Sequence, residues 1–153
     1  MQLKKLDQSF YPVHTHLSEA LDNVNGAWIE GKTRGYGFVL IPINTLTFAL
    51  PLRSNIRHNA SFPTVGKHGE THKGLDFSKA LLISNPSYIS HELFLIPSSE
   101  HTRLRSKEHY ITSRFTKYVE RYIKAIVAND RNILNSSVYR FTTLQHYHVE
   151  LSI

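Results

Sequence analysis

Gly37-Phe38-Val39-Leu40-Ile41-Pro42-Ile43 runs into Asn44-Thr45 and back out through Leu46-Thr47-Phe48-Ala49-Leu50-Pro51-Leu52. Two apolar, β-branched-rich runs around a short polar break predict an antiparallel hairpin. Pro42 and Pro51 cannot donate a ladder hydrogen bond, so each belongs at an edge, a bulge or a strand end. A lone hairpin is marginal in water, so further strands are needed. Met1 to Leu6 predicts a short edge strand. Ala80-Leu81-Leu82-Ile83 predicts a buried strand ended by Asn85-Pro86, and Leu93-Phe94-Leu95-Ile96 suggests a further strand before Pro97.

Helical periods appear elsewhere. Phe115, Tyr118, Val119, Tyr122, Ile123, Ile126 and Val127 recur at three- and four-residue steps, which predicts a helix from Ser106 to about Asn129. Arg114, Lys117, Arg121 and Lys124 fall on its other faces. Thr15 to Leu21 predicts a short helix with Thr15 as N-cap, closed by a turn at Asn25-Gly26, and Thr142 to Glu150 a last short one. Arg53 to Lys73 is polar and glycine-bearing and reads as a long loop of about 20 residues, a length usually reserved for functional or disordered segments. No repeat or linker divides the chain, so residues 1–153 are expected to form a single compact α+β domain, a mainly antiparallel sheet with surrounding helices.

Composition excludes several function classes. Without cysteine there are no disulfides, thiolate metal sites, iron–sulfur clusters or cysteine catalysis. No carboxylate lies at a recognisable ligand spacing from His14/His16 or His146/His148, and no HExxH occurs, so neither metal nor cofactor is expected. No apolar run is long enough to span a membrane. Met1 to Asp7 lacks an apolar core behind Lys4 and Lys5, so no secretory leader is expected and a cytoplasmic location is. Lys and Arg number 18 against 12 Asp and Glu, a formal net charge of +6. A basic domain attracts polyanions, and nucleic acid is the commonest.

Three segments could carry chemistry. Leu50 to His58 places Arg53, Ser54, Asn55, Arg57 and His58 where a strand gives way to a loop. Guanidinium forks hold phosphate oxygens, and histidine moves protons near neutral pH. The same residues also suit a solvated turn capped by Ser54. Lys73-Gly74-Leu75-Asp76-Phe77-Ser78-Lys79-Ala80 puts Asp76 among cations, with Gly74 permitting close backbone approach; an ordinary turn into the next strand would look similar. Gly31-Lys32-Thr33-Arg34-Gly35-Tyr36-Gly37 could hold a phosphate and stack a base, although it is not a GxxxxGK[ST] loop and, read by itself, suits a flexible strand entry better.

Taken together, these segments resemble the type III toxin–antitoxin toxins of the ToxN/AbiQ group, most closely its TenpIN branch. The likeness runs from Arg34-Gly35-Tyr36-Gly37 through Pro51-Leu52-Arg53-Ser54-Asn55-Ile56-Arg57-His58 and Lys73 to Ile83, and continues in Phe115 to Tyr122. Against the group's strand-end motif P-L-T-S-P-K-x-K-H, Pro51, Leu52, Ser54 and His58 match and Arg57 keeps a cation. Arg53 replaces the threonine, and Asn55 and Ile56 replace the proline and first lysine. Arg34 falls where the group carries a basic residue, and Tyr11 corresponds loosely to an N-terminal active-site tyrosine.

The resemblance implies a fold related to the MazF/Kid-like ribonucleases and a metal-independent endoribonuclease. It implies attack by a ribose 2′-hydroxyl, leaving a 2′,3′-cyclic phosphate and a 5′-hydroxyl. Ser54 would position that hydroxyl, with His58 the available base and Arg34, Arg53, Arg57 and Lys79 stabilising the added charge. RNA contacts are expected from Lys32, Tyr36, Asn55, Lys67, His72, Lys73, Asp76, Ser78, Lys117 and Arg121. The implied partner is a repetitive antitoxin RNA, cut into units that bind back in a closed protein–RNA assembly. Cellular and phage RNA would be substrates, with growth arrest or abortive infection as the outcome and no DNA or membrane partner. A non-catalytic RNA-binding module, or a MazF-like toxin neutralised by a protein, are the alternatives.

Overall fold

The computed structural model describes residues 1–28 and 37–153. Lys4–Leu6 forms β1 and Phe10–Val13 a single turn, α1. Asn23–Val24 (β2) and Ala27–Trp28 (β3) make a small separate ribbon. Its turn is Asn25-Gly26, both at positive φ, the backbone that a tight hairpin demands.

The quoted stretch is the hairpin it predicts. Phe38–Ile43 (β4) pairs antiparallel with Leu46–Ile56 (β5) from Phe38↔Pro51 to Ile43↔Leu46. Asn44 adopts φ 53° in the turn. The prolines sit where their missing N–H is harmless. Leu52 N–H donates to the Gly37 carbonyl, so the nitrogen of Pro51 faces the other edge of β5. On that edge Ala49 pairs with Leu81 and Leu52 with Leu75, and Pro51 falls in the gap between the two partners.

Beyond Leu52 the structure departs from the loop expectation. Ser61–Val65 (β6) and His72–Asp76 (β7) form a second hairpin, and β7 pairs with the far end of β5. Gly66 and Gly69 carry the turn between them at φ 82° and 91°. Gly74 lets the strands close up: a Cβ there would stand 2.1 Å from the Phe62 carbonyl oxygen. Leu81–Leu82 (β8) follows as expected, and Ile89–Leu93 (β9) lies earlier than the Leu93–Ile96 expectation. Leu93 and Ile89 pair with Lys4 and Leu6, so the strand ends where the expected run begins, and Leu95 beyond it is 87% exposed.

All described pairings are antiparallel. The main sheet runs β6-β7-β5-β4-β1-β9, with β8 also on β5. β1 therefore lies inside the sheet rather than at its edge.

Four helices accompany the sheet among the described residues, in an α+β arrangement. Ser98–Ser106 (α2) is polar enough to have escaped the periodicity reading; only Glu100 and Leu104 are buried. Glu108–Ala128 (α3) is the expected long helix. Ile111, Phe115, Tyr118, Val119, Tyr122 and Ala125 form its buried stripe, and each large side chain contributes roughly 1.5–3 kcal/mol. Asn129, at φ 51°, closes it in a left-handed cap. Arg131–Leu134 (α4) is one turn, N-capped by Asp130. Thr15 to Leu21 is a series of turns, not a helix. Leu17 N–H bonds His14 and Ala20 N–H bonds Leu17, and seven residues alone are too few for a stable helix. The last segment is a 3-10 turn, Thr143–His146, followed by further turns. No helix among the described residues is long and apolar enough to cross a membrane.

Candidate functional site

β7 ends in Asp76, and Asp76 starts the next element. Its Oδ1 accepts Ser78 N–H at 3.0 Å, capping the 3-10 turn Phe77–Lys79. Oδ1 also accepts the Ser78 hydroxyl at 2.6 Å, and Oδ2 accepts Arg53 Nη1 at 2.7 Å. His58 Nε2 lies 3.3 Å from Oδ1. The carboxylate is fully buried. Burial pushes its pKa up, but the bonds from His58, Ser78 and Arg53 outweigh burial and hold it below the ordinary carboxylate value.

His58 is locked by its own turn. Its Nδ1 accepts Ala60 N–H at 3.1 Å, so that nitrogen carries no proton. The neutral ring's proton is on Nε2, facing Asp76 and, at 3.3 Å, the Ser78 hydroxyl. In this tautomer neither nitrogen is free to accept a proton.

Lys79 ties distant segments to the same place. Its Nζ donates to the Glu19 and Phe141 carbonyls at 2.8 and 2.9 Å, with the Glu19 carboxylate at 3.9 Å. Burial lowers its pKa, Asp76 and Glu19 act against that, and Arg53 adds to it. A pocket of about 290 Å³ opens here, lined by Glu19, Arg53, His58, Ser78, Lys79, Ser137 and Phe141. Arg53 keeps 35% of its side chain exposed. One arm of its fork is fixed on Asp76, and its remaining N–H groups make no hydrogen bond to another described residue.

The structure thus unites Arg53, His58, Asp76, Ser78 and Lys79. Ser54 is exposed and stands next to Arg53 on β5, so alternation directs the two side chains to opposite faces. No hydrogen bond joins Ser54 to His58. Asn55, at φ 59°, is an inserted residue: β5 advances from Arg53 to Ile56 while β7 moves only from Gly74 to His72. Arg57 is exposed at the start of the following turn. Tyr11 is buried edge-on against Trp28, its phenol pushed up to about 12 by burial and by Asp22. Lys32, Arg34 and Tyr36 lie outside the described residues.

Of the expected RNA contacts, His72, Asp76 and Ser78 are buried and Lys73 is engaged within the chain. His72 is buried; its Nδ1–H donates to the Glu70 carbonyl at 2.9 Å, and its Nε2 accepts the Ser61 hydroxyl at 2.7 Å. Lys73 holds the buried Glu100 at 3.0 Å, where Thr64 also donates. Lys67, Lys117 and Arg121 are exposed. Lys117 and Arg121 line a pocket of about 320 Å³ with Arg114, Phe77, Tyr118 and Tyr139. Glu19, Ser137 and Phe141, which complete the Arg53 pocket, come from segments with no motif. Only the fold brings them there.

Comparison with protein-family models, with curated proteins and with solved structures finds no match for this chain.

Proposed function

We propose that this chain is a metal-independent endoribonuclease, a type III toxin that processes and is inhibited by a repetitive antitoxin RNA. A cytoplasmic location and a MazF/Kid-like ancestry for its antiparallel frame belong to the same proposal. The observation that carries it is the convergence of Arg53 and Lys79, both anchored, on one open pocket beside the Ser78 and Ser137 hydroxyls. An anchored cation meets a phosphate without first being ordered, which is the condition under which such groups stabilise a transition state. Arg53 and Lys79 hold the scissile phosphate and take up its added charge. The 2′-hydroxyl of the preceding ribose attacks in line and gives its proton to solvent, and the P–O5′ bond breaks as the 5′-oxygen takes a proton from solvent; the Ser78 and Ser137 hydroxyls line the same pocket.

The test is incubation of purified protein with RNA in EDTA, followed by end mapping. Cleavage leaving 2′,3′-cyclic phosphate and 5′-hydroxyl ends is expected. Arg53→Ala should lower the cleavage rate by a factor on the order of 100–1,000, the usual worth of one such donor. Ser54→Ala should leave both cleavage and RNA binding largely intact, because the Ser54 side chain faces away from Arg53. Intact RNA after prolonged incubation refutes catalysis. A co-purifying acidic polypeptide in place of RNA of defined length refutes the type III pairing.

One observation favours a second reading, RNA binding without cleavage. Both ring nitrogens of His58 are engaged within the chain, so the expected base is not free. The EDTA experiment separates the two.

A further inference from the structure

Three cation-bearing pockets meet along the turn between β5 and β6. The first is the Arg53–Lys79 pocket. The second shares its walls: His58 lines the first and Asn59 and Ala60 the second, while Ser137 lines the first and Val138 and Tyr139 the second. The third, about 200 Å³, shares Arg114 with the second and adds Lys67 and Arg103. Among the described residues Glu19 is the one acidic residue lining any of them.

Exposed rings stand in the two outer pockets, Phe141 in the first and Tyr110 in the third, whereas Phe77, Tyr118 and Tyr139 of the middle pocket and Phe62 of the third are buried. In the second, Arg114 lies 5.3 Å over Phe77 and Arg121 5.8 Å from Tyr139. In the third, Arg103 lies 4.9 Å over Phe62, and Arg114 also approaches Tyr110 at 5.9 Å. Arg114 is pinned as the divider by the Ser61 and Asn59 carbonyls at 2.5 and 3.0 Å. Lys117 makes no ion pair with any described residue.

We infer that these pockets form one track for unpaired RNA, seating about three consecutive nucleotides with the outer bases against Phe141 and Tyr110 and the phosphates on the cations. A duplex keeps its base faces stacked and could not use the rings. The track takes from the proposed function only that the ligand is RNA; it does not require cleavage. Lys117 and Arg121 make the middle of the track, so losing both weakens binding whatever happens at Arg53.

The test uses the full chain and fluorescein-labelled oligomers of about two to ten nucleotides, 2′-fluoro-substituted so that no attacking hydroxyl is present. Affinity should climb with length and level off once the track is filled. The K117A/R121A double variant, altered only at exposed positions, should bind at least about tenfold more weakly. Its log affinity against log salt should flatten by about 1.4, the release expected for two phosphate contacts on a single strand. Lys124→Ala, a cation on α3 outside the three pockets, should stay within about twofold of wild type. A base-paired version of the same sequence should bind at least about tenfold more weakly. Equal affinity and slope in the double variant, or equal binding of the duplex, overturns the track while leaving cleavage at Arg53 standing. Binding that follows the track without cleavage of unmodified RNA supports the track and removes the catalysis. No RNA binding by the wild type overturns both.

Discussion

Replacing Asp76 by asparagine removes the group on which Arg53, His58 and Ser78 converge. The side chain is fully buried and accepts from Arg53 at 2.7 Å and from Ser78 at 2.6 and 3.0 Å. An amide keeps one acceptor oxygen, turns an NH₂ toward a neighbouring donor, and leaves Arg53 without its counter-charge. Breaking a buried pair by removing one partner costs about 3–5 kcal/mol. Arg53 is 35% exposed and can rehydrate in part, which places the expected loss at the lower end, about 3 kcal/mol. For a chain of this length that is a fall in Tm of about 6–12 °C. The pH dependence follows from the lowered folded-state pKa of Asp76. Its contribution is complete above the unfolded carboxylate value of about 4 and is lost as pH falls through the folded value. The gap between wild type and Asp76→Asn is therefore widest near neutrality and closes under acid. Urea titrations followed by far-UV circular dichroism, stepped from about pH 7 to about pH 3, measure it. A gap below about 1 kcal/mol at neutral pH, or one that widens on acidification, refutes the reasoning.

Gly74→Ala drives a Cβ into the Phe62 carbonyl and within 2.8 Å of Pro63 Cα; neither is a movable side chain. It should cost about 3 kcal/mol, the upper range of overpacking, by thermal melting. Lys73→Met strips the buried Glu100 of its cation and should lose about 1.5–3 kcal/mol in a urea titration. The salt slope of RNA binding should stay unchanged, because this lysine is already occupied. Asn129→Ala forces an ordinary side chain into the left-handed cap of α3, and a urea titration should show a loss of about 1 kcal/mol.

The hairpin at residues 38–52 and the helix over 108–128 were legible because each announces its period in consecutive residues. The second hairpin was not. Pro63 interrupts β6, Gly74 interrupts β7, and His72 and Lys73 are polar. Its stability comes from pairing with β5 and from a close approach at Gly74 that leaves no apolar signature. α2 was silent for a related reason: its inward contacts are the Glu100 carboxylate and a single leucine. At the site, the cluster of Arg53, His58, Asp76, Ser78 and Lys79 could be named from two short segments, since β5 and β7 deliver them side by side. Glu19 and Phe141 could not, because they arrive through carbonyl contacts to Lys79, and backbone carbonyls have no sequence.

The charges divide the work between the two ends of the proposed surface. In the first pocket Arg53 faces Asp76 and Lys79 lies 3.9 Å from the Glu19 carboxylate, so its formal charges come close to cancelling. Such a pocket attracts a polyanion weakly from a distance. Among the described residues the middle pocket has three cations and no lining carboxylate, so it dominates long-range attraction and the salt dependence of binding. The first pocket contributes what the middle lacks: cations whose positions are set before the ligand arrives. One such donor is worth on the order of 100–1,000 in rate, and a free general base typically adds on the order of 100–10,000. With His58 held by Ala60 and Asp76, the described residues supply the first factor. Cleavage faster than the cations allow therefore requires a proton acceptor beyond His58 in its present tautomer, or a ligand that breaks the Ala60 contact and frees Nδ1.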